Sequence, residues 1–84
     1  MKLSVIIPVY NELHTIEKVL IQVRDVPVDK EIIIVDDCSS DGSRELLRDI
    51  AASNTKVFFH ERNMGKGAPL KTGFKHASGD CIIV

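Results

Sequence analysis

No apolar run in this chain reaches the roughly 18 residues needed to cross a bilayer as a helix. The opening Met1-Lys2-Leu3-Ser4 leads into a short apolar stretch closed by Pro8, with no small-residue cleavage site after it. No secretory leader is therefore expected there. Charge of one sign is lacking too: 11 Lys and Arg face 12 Asp and Glu, for a net charge of -1. That removes the basic footprint by which nucleic acid or an anionic membrane is held. There are only 2 cysteines, Cys38 and Cys81, far apart and without metal-ligand spacing. Reduced thiols and a cytoplasmic setting are the default expectation. His14, His60 and His76 are scattered and match neither a metal nor a triad spacing. They are expected in surface or semi-buried structural positions. Neither the P-loop spacing nor the Gly-x-Gly-x-x-Gly dinucleotide fingerprint occurs. Repeats, low-complexity tracts and interdomain linkers are also missing.

What is present is the composition of a globular protein, 44% hydrophobic and 27% charged. The 84 residues make at most one small domain. A chain of this length buries only about 60–65% of its unfolded surface, so its core is marginal. Strand and helix patterns alternate. Leu3 to Val9 is a β-branched apolar run of the fully buried type. Ile16, Val19, Leu20 and Val23 recur at helical spacing and end before Pro27. A second strand is predicted over about Glu31 to Asp36. A second helix follows from about Gly42 to Ser53, with Leu46, Leu47, Ile50 and Ala51 on one face and Asp41 or Ser40 as N-cap. A short strand over about Lys56 to His60, a polar loop and a third helix through about Ala77 come next. Ser78-Gly79 reads as the stop of that helix, and a last strand begins near Asp80. The expected fold is α/β: a parallel open sheet of about four strands with helices on both faces and right-handed crossovers. The chain stops inside an apolar strand, as a piece of a longer protein would.

Three segments could carry chemistry. Asp36 and Asp37 end the apolar run Ile32-Ile33-Ile34-Val35 and pass into the turn-rich Cys38-Ser39-Ser40-Asp41-Gly42. In open α/β sheets ligands bind beyond the C-terminal ends of the strands. A carboxylate there can accept from a base N–H or a ribose hydroxyl, or hold a metal; equally, such a pair can be one capping and one solvated residue. Pro8-Val9-Tyr10-Asn11-Glu12 joins the first strand to the first helix. Tyr10 could stack on a base and Glu12 accept from its edge, or the segment could be a proline stop with a helix-start carboxylate. In Asn63-Met64-Gly65-Lys66-Gly67-Ala68-Pro69, glycines permit close backbone approach and Lys66 could meet a diphosphate at the following helix N-terminus. A plain loop is the competing explanation. Arg62 beside it reads as a solvated charge.

Taken in order, Ser4 to Glu12, Ile34 to Gly42, Asn63 to Ala68 and Gly79-Asp80 resemble the N-terminal half of family-two glycosyltransferases, which have the GT-A fold. Within that family the Gly-Lys-Gly-Ala loop is most similar to the dolichol-phosphate and polyprenyl-phosphate mannosyl- or glucosyltransferase branch. The resemblance covers essentially the whole chain. It implies that residues 1–84 are a nucleotide-diphospho-sugar-binding half, with a GDP-mannose or UDP-glucose type of donor. By motif position, Pro8, Tyr10 and Glu12 would border base and ribose. Asp37 would accept from the base N–H, and Asp36 would support the loop or ribose. Gly65, Lys66 and Gly67 would lie on the phosphate side. Cys38 stands where the family commonly has glycine or another small residue.

The family's metal-binding Asp-x-Asp falls a few residues beyond the fourth-strand Gly-Asp, past Val84, and the acceptor half lies beyond it. No catalytic or metal residue is therefore named and no cofactor is expected in this stretch, with Mg2+ or Mn2+ expected for a full-length enzyme. The isolated chain is expected to bind nucleotide without turnover. Its alternative is a non-catalytic nucleotide-binding or assembly module. A receiver-like signalling domain fits poorly, because its acidic pair would follow the first strand. Polyprenyl phosphate as acceptor, and any membrane association, would belong to a full-length parent. Self-association through the exposed last strand is the further expectation.

Overall fold

The computed structural model describes residues 2–50, 54–65, 67–79 and 81–83. Seven elements follow one another: β1 (Leu3–Val9), α1 (Ile16–Asp25), β2 (Lys30–Asp36), α2 (Ser43–Ile50), β3 (Thr55–Phe59), α3 (Ala68–His76) and β4 (Cys81–Ile83). The four strands form one sheet in the order β3-β2-β1-β4. Every pairing is parallel, with Leu3 opposite Lys30, Ile32 opposite Thr55 and Leu3 opposite Cys81 at the starts of the ladders. Parallel strands need crossovers, and the helices supply them.

β1 and β2 are covered on both faces, which is why their sequences are almost continuously apolar. Alternate residues divide between two layers. Val9, Ile32 and Ile34 pack with Ile16 and Leu20 of α1 and Leu47 of α2. Ile6, Ile33 and Val35 pack on the opposite face against Leu70 and Ala77. α1 and α2 thus share one face, and α3 lies on the other. Within α1, Ile16 and Leu20 are buried as their spacing predicts, but Val19 is 38% exposed. The buried stripe of α1 is narrower than the apolar pattern. Leu47 is the buried anchor of α2, with Leu46 and Ile50 packed at its sides. The predicted Ala51 and Ser53 end of that helix lies outside the described residues.

Several links fix how the layers sit. The Arg24 guanidinium donates to the Ile50 carbonyl and the Thr55 hydroxyl, both at 3.1 Å, tying α1 to the α2 end and β3. Lys30 Nζ donates to the Arg24 and Val26 carbonyls, satisfying the C-terminus of α1. α3 approaches β1 closely at Gly73, where a Cβ would run into the Ile6 side chain. α3 ends within a residue of the Ala77 that the sequence suggests, but Gly79 is not its stop: the C-cap is Ala77 itself, whose extended backbone (φ -71°, ψ 135°) breaks the helix. Gly79 is small because a Cβ there would lie 2.8 Å from the Lys2 carbonyl oxygen and 2.9 Å from the Ser4 nitrogen.

Below the sheet, at the N-terminal ends of the strands, Glu31 is buried with its charge fully engaged. Ser4 Oγ donates to it at 2.5 Å, and Ser78 donates through both its amide (2.6 Å) and its hydroxyl (3.0 Å). Gly79 N donates in turn to Ser4 Oγ at 2.8 Å. These bonds hold its carboxyl down at about 2; the Ser4 hydroxyl is the largest influence, working against burial.

Candidate functional site

The strand order reverses beside β1. The chain moves from β1 to β2 to β3 in one direction, then returns through α3 to place β4 on the other side of β1. Crevices at such switch points, at the C-terminal ends of the strands, are where open α/β sheets bind ligands. A cavity of about 390 Å³ opens there, lined by Pro8, Val9, Tyr10, Glu12, Asp37, Asn63, Gly65 and Pro69. Its volume suits a small organic ligand.

Three loops converge on this cavity, and the first two are stitched together. Asn11, at φ +54°, donates its backbone N–H to Ser39 Oγ at 2.8 Å, and its Oδ1 accepts from Ser40 N at 2.8 Å. Asp41 accepts from Leu13 N at 3.1 Å through one oxygen and from Ser43 N and Oγ through the other. The Ser43 hydroxyl is the main reason its carboxyl lies below the usual aspartate range. Asp41 thus supports the start of α2 as expected, and it also anchors the β1–α1 loop, a bond across 28 residues that the sequence does not announce.

The two adjacent aspartates have separate jobs. Asp36 is fully buried, and it accepts from Ser39 Oγ at 2.5 Å and Ser39 N at 3.0 Å, with Arg44 Nε 3.9 Å away. These bonds brace the loop that follows β2, and Asp36 is not among the residues that line the cavity. Asp37 lines the cavity. Its Oδ1 accepts from Met64 N at 3.0 Å and pairs with His60 Nδ1 at 2.8 Å. No hydrogen bond engages its other oxygen among the described residues. Successive strand residues face opposite ways, and that period is the signal separating the two.

Tyr10 is 48% exposed at the cavity rim, its ring available for stacking. Glu12 lines the cavity while its Oε2 accepts from Thr15 Oγ1 at 2.9 Å at the entry to α1. It holds the helix-start position and the cavity edge at once. Gly65 lines the cavity with φ +97°, a backbone state that side chains disfavour. Gly67 is exposed beside the N-terminus of α3 and is not among the lining residues. Lys66 lies outside the described residues. Val9, Asn63 and Pro69 also line the cavity; each stands inside a segment that the sequence marks as able to carry chemistry, but none had a role of its own there.

The described residues do not fit a resident divalent cation. No group of three or more His, Cys, Asp or Glu side chains among them could hold one. The Asp36 and Asp37 pair does not serve, because Asp36 is buried in its own loop. Among the described residues no helix is long and apolar enough to cross a membrane.

A family model described as glycosyl transferase family 2 matches residues 4–84. The chain is 38% identical over 87 residues to an undecaprenyl-phosphate 4-deoxy-4-formamido-L-arabinose transferase of Pseudomonas fluorescens, covering 95% of this chain and 26% of that protein. It is 35% identical to a bactoprenol glucosyl transferase of Shigella phage SfV, covering 99% of this chain and 29% of the relative. Among solved structures, S. aureus TarS in complex with UDP superimposes with a TM-score of 0.85 at 30% identity, over 99% of this chain and 27% of that one. A Pyrobaculum calidifontis mannosyltransferase in complex with GDP-Man and Mn2+ gives 0.84 at 31% identity, over 95% and 25%. The chain thus spans little more than a quarter of the length of these curated relatives.

Proposed function

Because the chain belongs to glycosyl transferase family 2, we propose that residues 1–84 form the nucleotide-diphospho-sugar-binding half of a glycosyltransferase. The observation that carries this is the switch-point cavity, with Tyr10 at its rim and Asp37 in its wall. Asp37 accepts hydrogen bonds only, which suits a base presenting an N–H, as uracil and guanine do. Tyr10 offers a stacking face, Pro8 and Glu12 the surrounding wall, and Gly65 a backbone approach toward the diphosphate. Lys66 and Gly67 belong to the same proposed phosphate side, and Asp36 acts through the loop. Similar proteins are captured with UDP and with GDP-Man, supporting this ligand class.

The whole enzyme's reaction is proposed as sugar transfer from a GDP- or UDP-sugar to polyprenyl phosphate, the acceptor type named for the undecaprenyl-phosphate relatives. A divalent cation would offset charge on the diphosphate leaving group, as the Mn2+ in one structural neighbour suggests. The described residues do not supply that cation's ligands, so no step is assigned to them, and the isolated chain is proposed to bind donor without turnover. A cytoplasmic setting, with membrane association confined to a full-length parent, belongs to the same proposal. Self-association through β4 is proposed on the 44% exposure of Ile82.

Titration calorimetry of the 84-residue chain with UDP and GDP tests the binding. At least one is expected to bind saturably, and Asp37→Asn is expected to weaken it about tenfold through loss of a charged acceptor. No heat with either nucleotide, or unchanged affinity in Asp37→Asn, refutes the assignment.

A further inference from the structure

We infer that His60 is a positioning residue for this cavity, fixing the carboxylate that faces the ligand. It rests on the nucleotide-binding reading above and assigns a part to a residue that neither motif nor cavity lining singles out. His60 follows β3, and its side chain is 10% exposed. Both ring nitrogens are engaged: Nδ1 lies 2.8 Å from Asp37 Oδ1 and Nε2 lies 2.8 Å from Thr72 Oγ1. A carboxylate can only accept, so Nδ1 carries the proton. In the neutral ring, Nε2 then accepts from the Thr72 hydroxyl.

The chain Asp37–His60–Thr72 joins three parts of the fold: the end of β2, the end of β3 and the middle of α3. Its backbone is fixed as well, since His60 N donates to the Asp36 carbonyl at 2.8 Å and the His60 carbonyl accepts from Arg44 at 3.0 Å. The imidazole therefore has one place to be. Met64 N adds a second donor to the same Asp37 oxygen. Two donors on Oδ1 stop the carboxyl group from turning, which leaves Oδ2 as the oxygen offered to the cavity. A hydrophobic residue at position 60 would fill the volume and free that rotation. Preorganised acceptors bind better because their ordering precedes the ligand.

The test compares His60→Leu, His60→Asn and Thr72→Val in the 84-residue chain, by calorimetry with UDP and GDP. The Asn side-chain N–H can take the place of Nδ1–H. His60→Leu is expected to raise Kd about tenfold, equivalent to ~1.4 kcal/mol. His60→Asn is expected to stay within about threefold of the parent chain, and Thr72→Val to weaken binding by about threefold, because each keeps a donor on Asp37. Circular dichroism checks that each variant is folded. Should His60→Leu fail to fold, the Asn and Val variants still decide. Nitrogen-15 shifts of the His60 ring, read without nucleotide, should place the proton on Nδ1. A proton on Nε2 alone, a folded His60→Leu binding like the parent, or an Asn variant impaired tenfold or more overturns the inference while leaving the nucleotide reading intact. A parent chain that binds neither nucleotide overturns both.

Discussion

Cys38 sits in a left-handed backbone conformation, φ +65°, at the turn that follows the aspartate pair. For a residue with a Cβ this costs roughly 1–2 kcal/mol. Its thiol returns little, a weak contact to the Glu61 carbonyl at 3.4 Å. The resemblance had marked this position as one where glycine is common, and the backbone supplies the reason. Cys38→Gly is expected to stabilise the chain by about 0.5–1 kcal/mol, the strain relief being reduced by glycine's greater unfolded-state freedom. Urea unfolding would check it, and a lower midpoint would refute it. Other residue-level facts lay further from view in the sequence. Asp36 and Asp37 were legible as a pair at a strand end, and their division of labour follows from the strand period. His60 was not legible, because its partners stand 23 and 12 residues away and only the pairing of β3 with β2, together with the packing of α3 on that face of the sheet, brings them together.

At the scale of elements, the alternation of strands and helices was written in the sequence by β-branched runs and by helical spacing of leucine, isoleucine and valine. How an element is stopped was less legible than where. The end of α3 depends on Ala77 turning extended, and Gly79 answers to the close passage of β1, a tertiary demand with no local sign. Glu31 is the joint between these elements, since it holds β1 through Ser4 and the α3–β4 turn through Ser78. Its ordinary carboxyl value of 4.5 falls to about 2 in the folded chain. A carboxyl lowered on folding contributes stability that is fully present above its unfolded value and is lost as pH falls through the folded one. The contribution therefore fades between pH 4.5 and about 2. Glu31→Gln is expected to lose about 2 kcal/mol at neutral pH, the scale of hydrogen bonds to a charged group. It should also flatten the acid limb of the stability curve across that window. Denaturant titrations at a series of pH values would show this; a variant that keeps the parent's full acid slope would count against it.

For the whole molecule, the parallel sheet with helices on both faces was legible because β1 and β2 are apolar at nearly every position. The strand order was not, since nothing local says that β4 returns to the far side of β1. That return creates the crevice, so the segments that form the site were readable from motifs, while which of their residues face it, Val9 and Pro69 among them, was not. β4 is the outer strand on that side, and Ile82 is exposed upon it. Open apolar edges recruit further strands, so the isolated chain is expected to form dimers or larger species with rising concentration. Light scattering that stays at monomer mass at high concentration would end that proposal. The stitch of Asn11 to Ser39 and Ser40 has a thermodynamic consequence of its own. Two of the cavity's loops lose their conformational freedom when the chain folds, not when a ligand arrives. Binding then begins from an already quiet surface, and the entropy of ordering those loops belongs to folding.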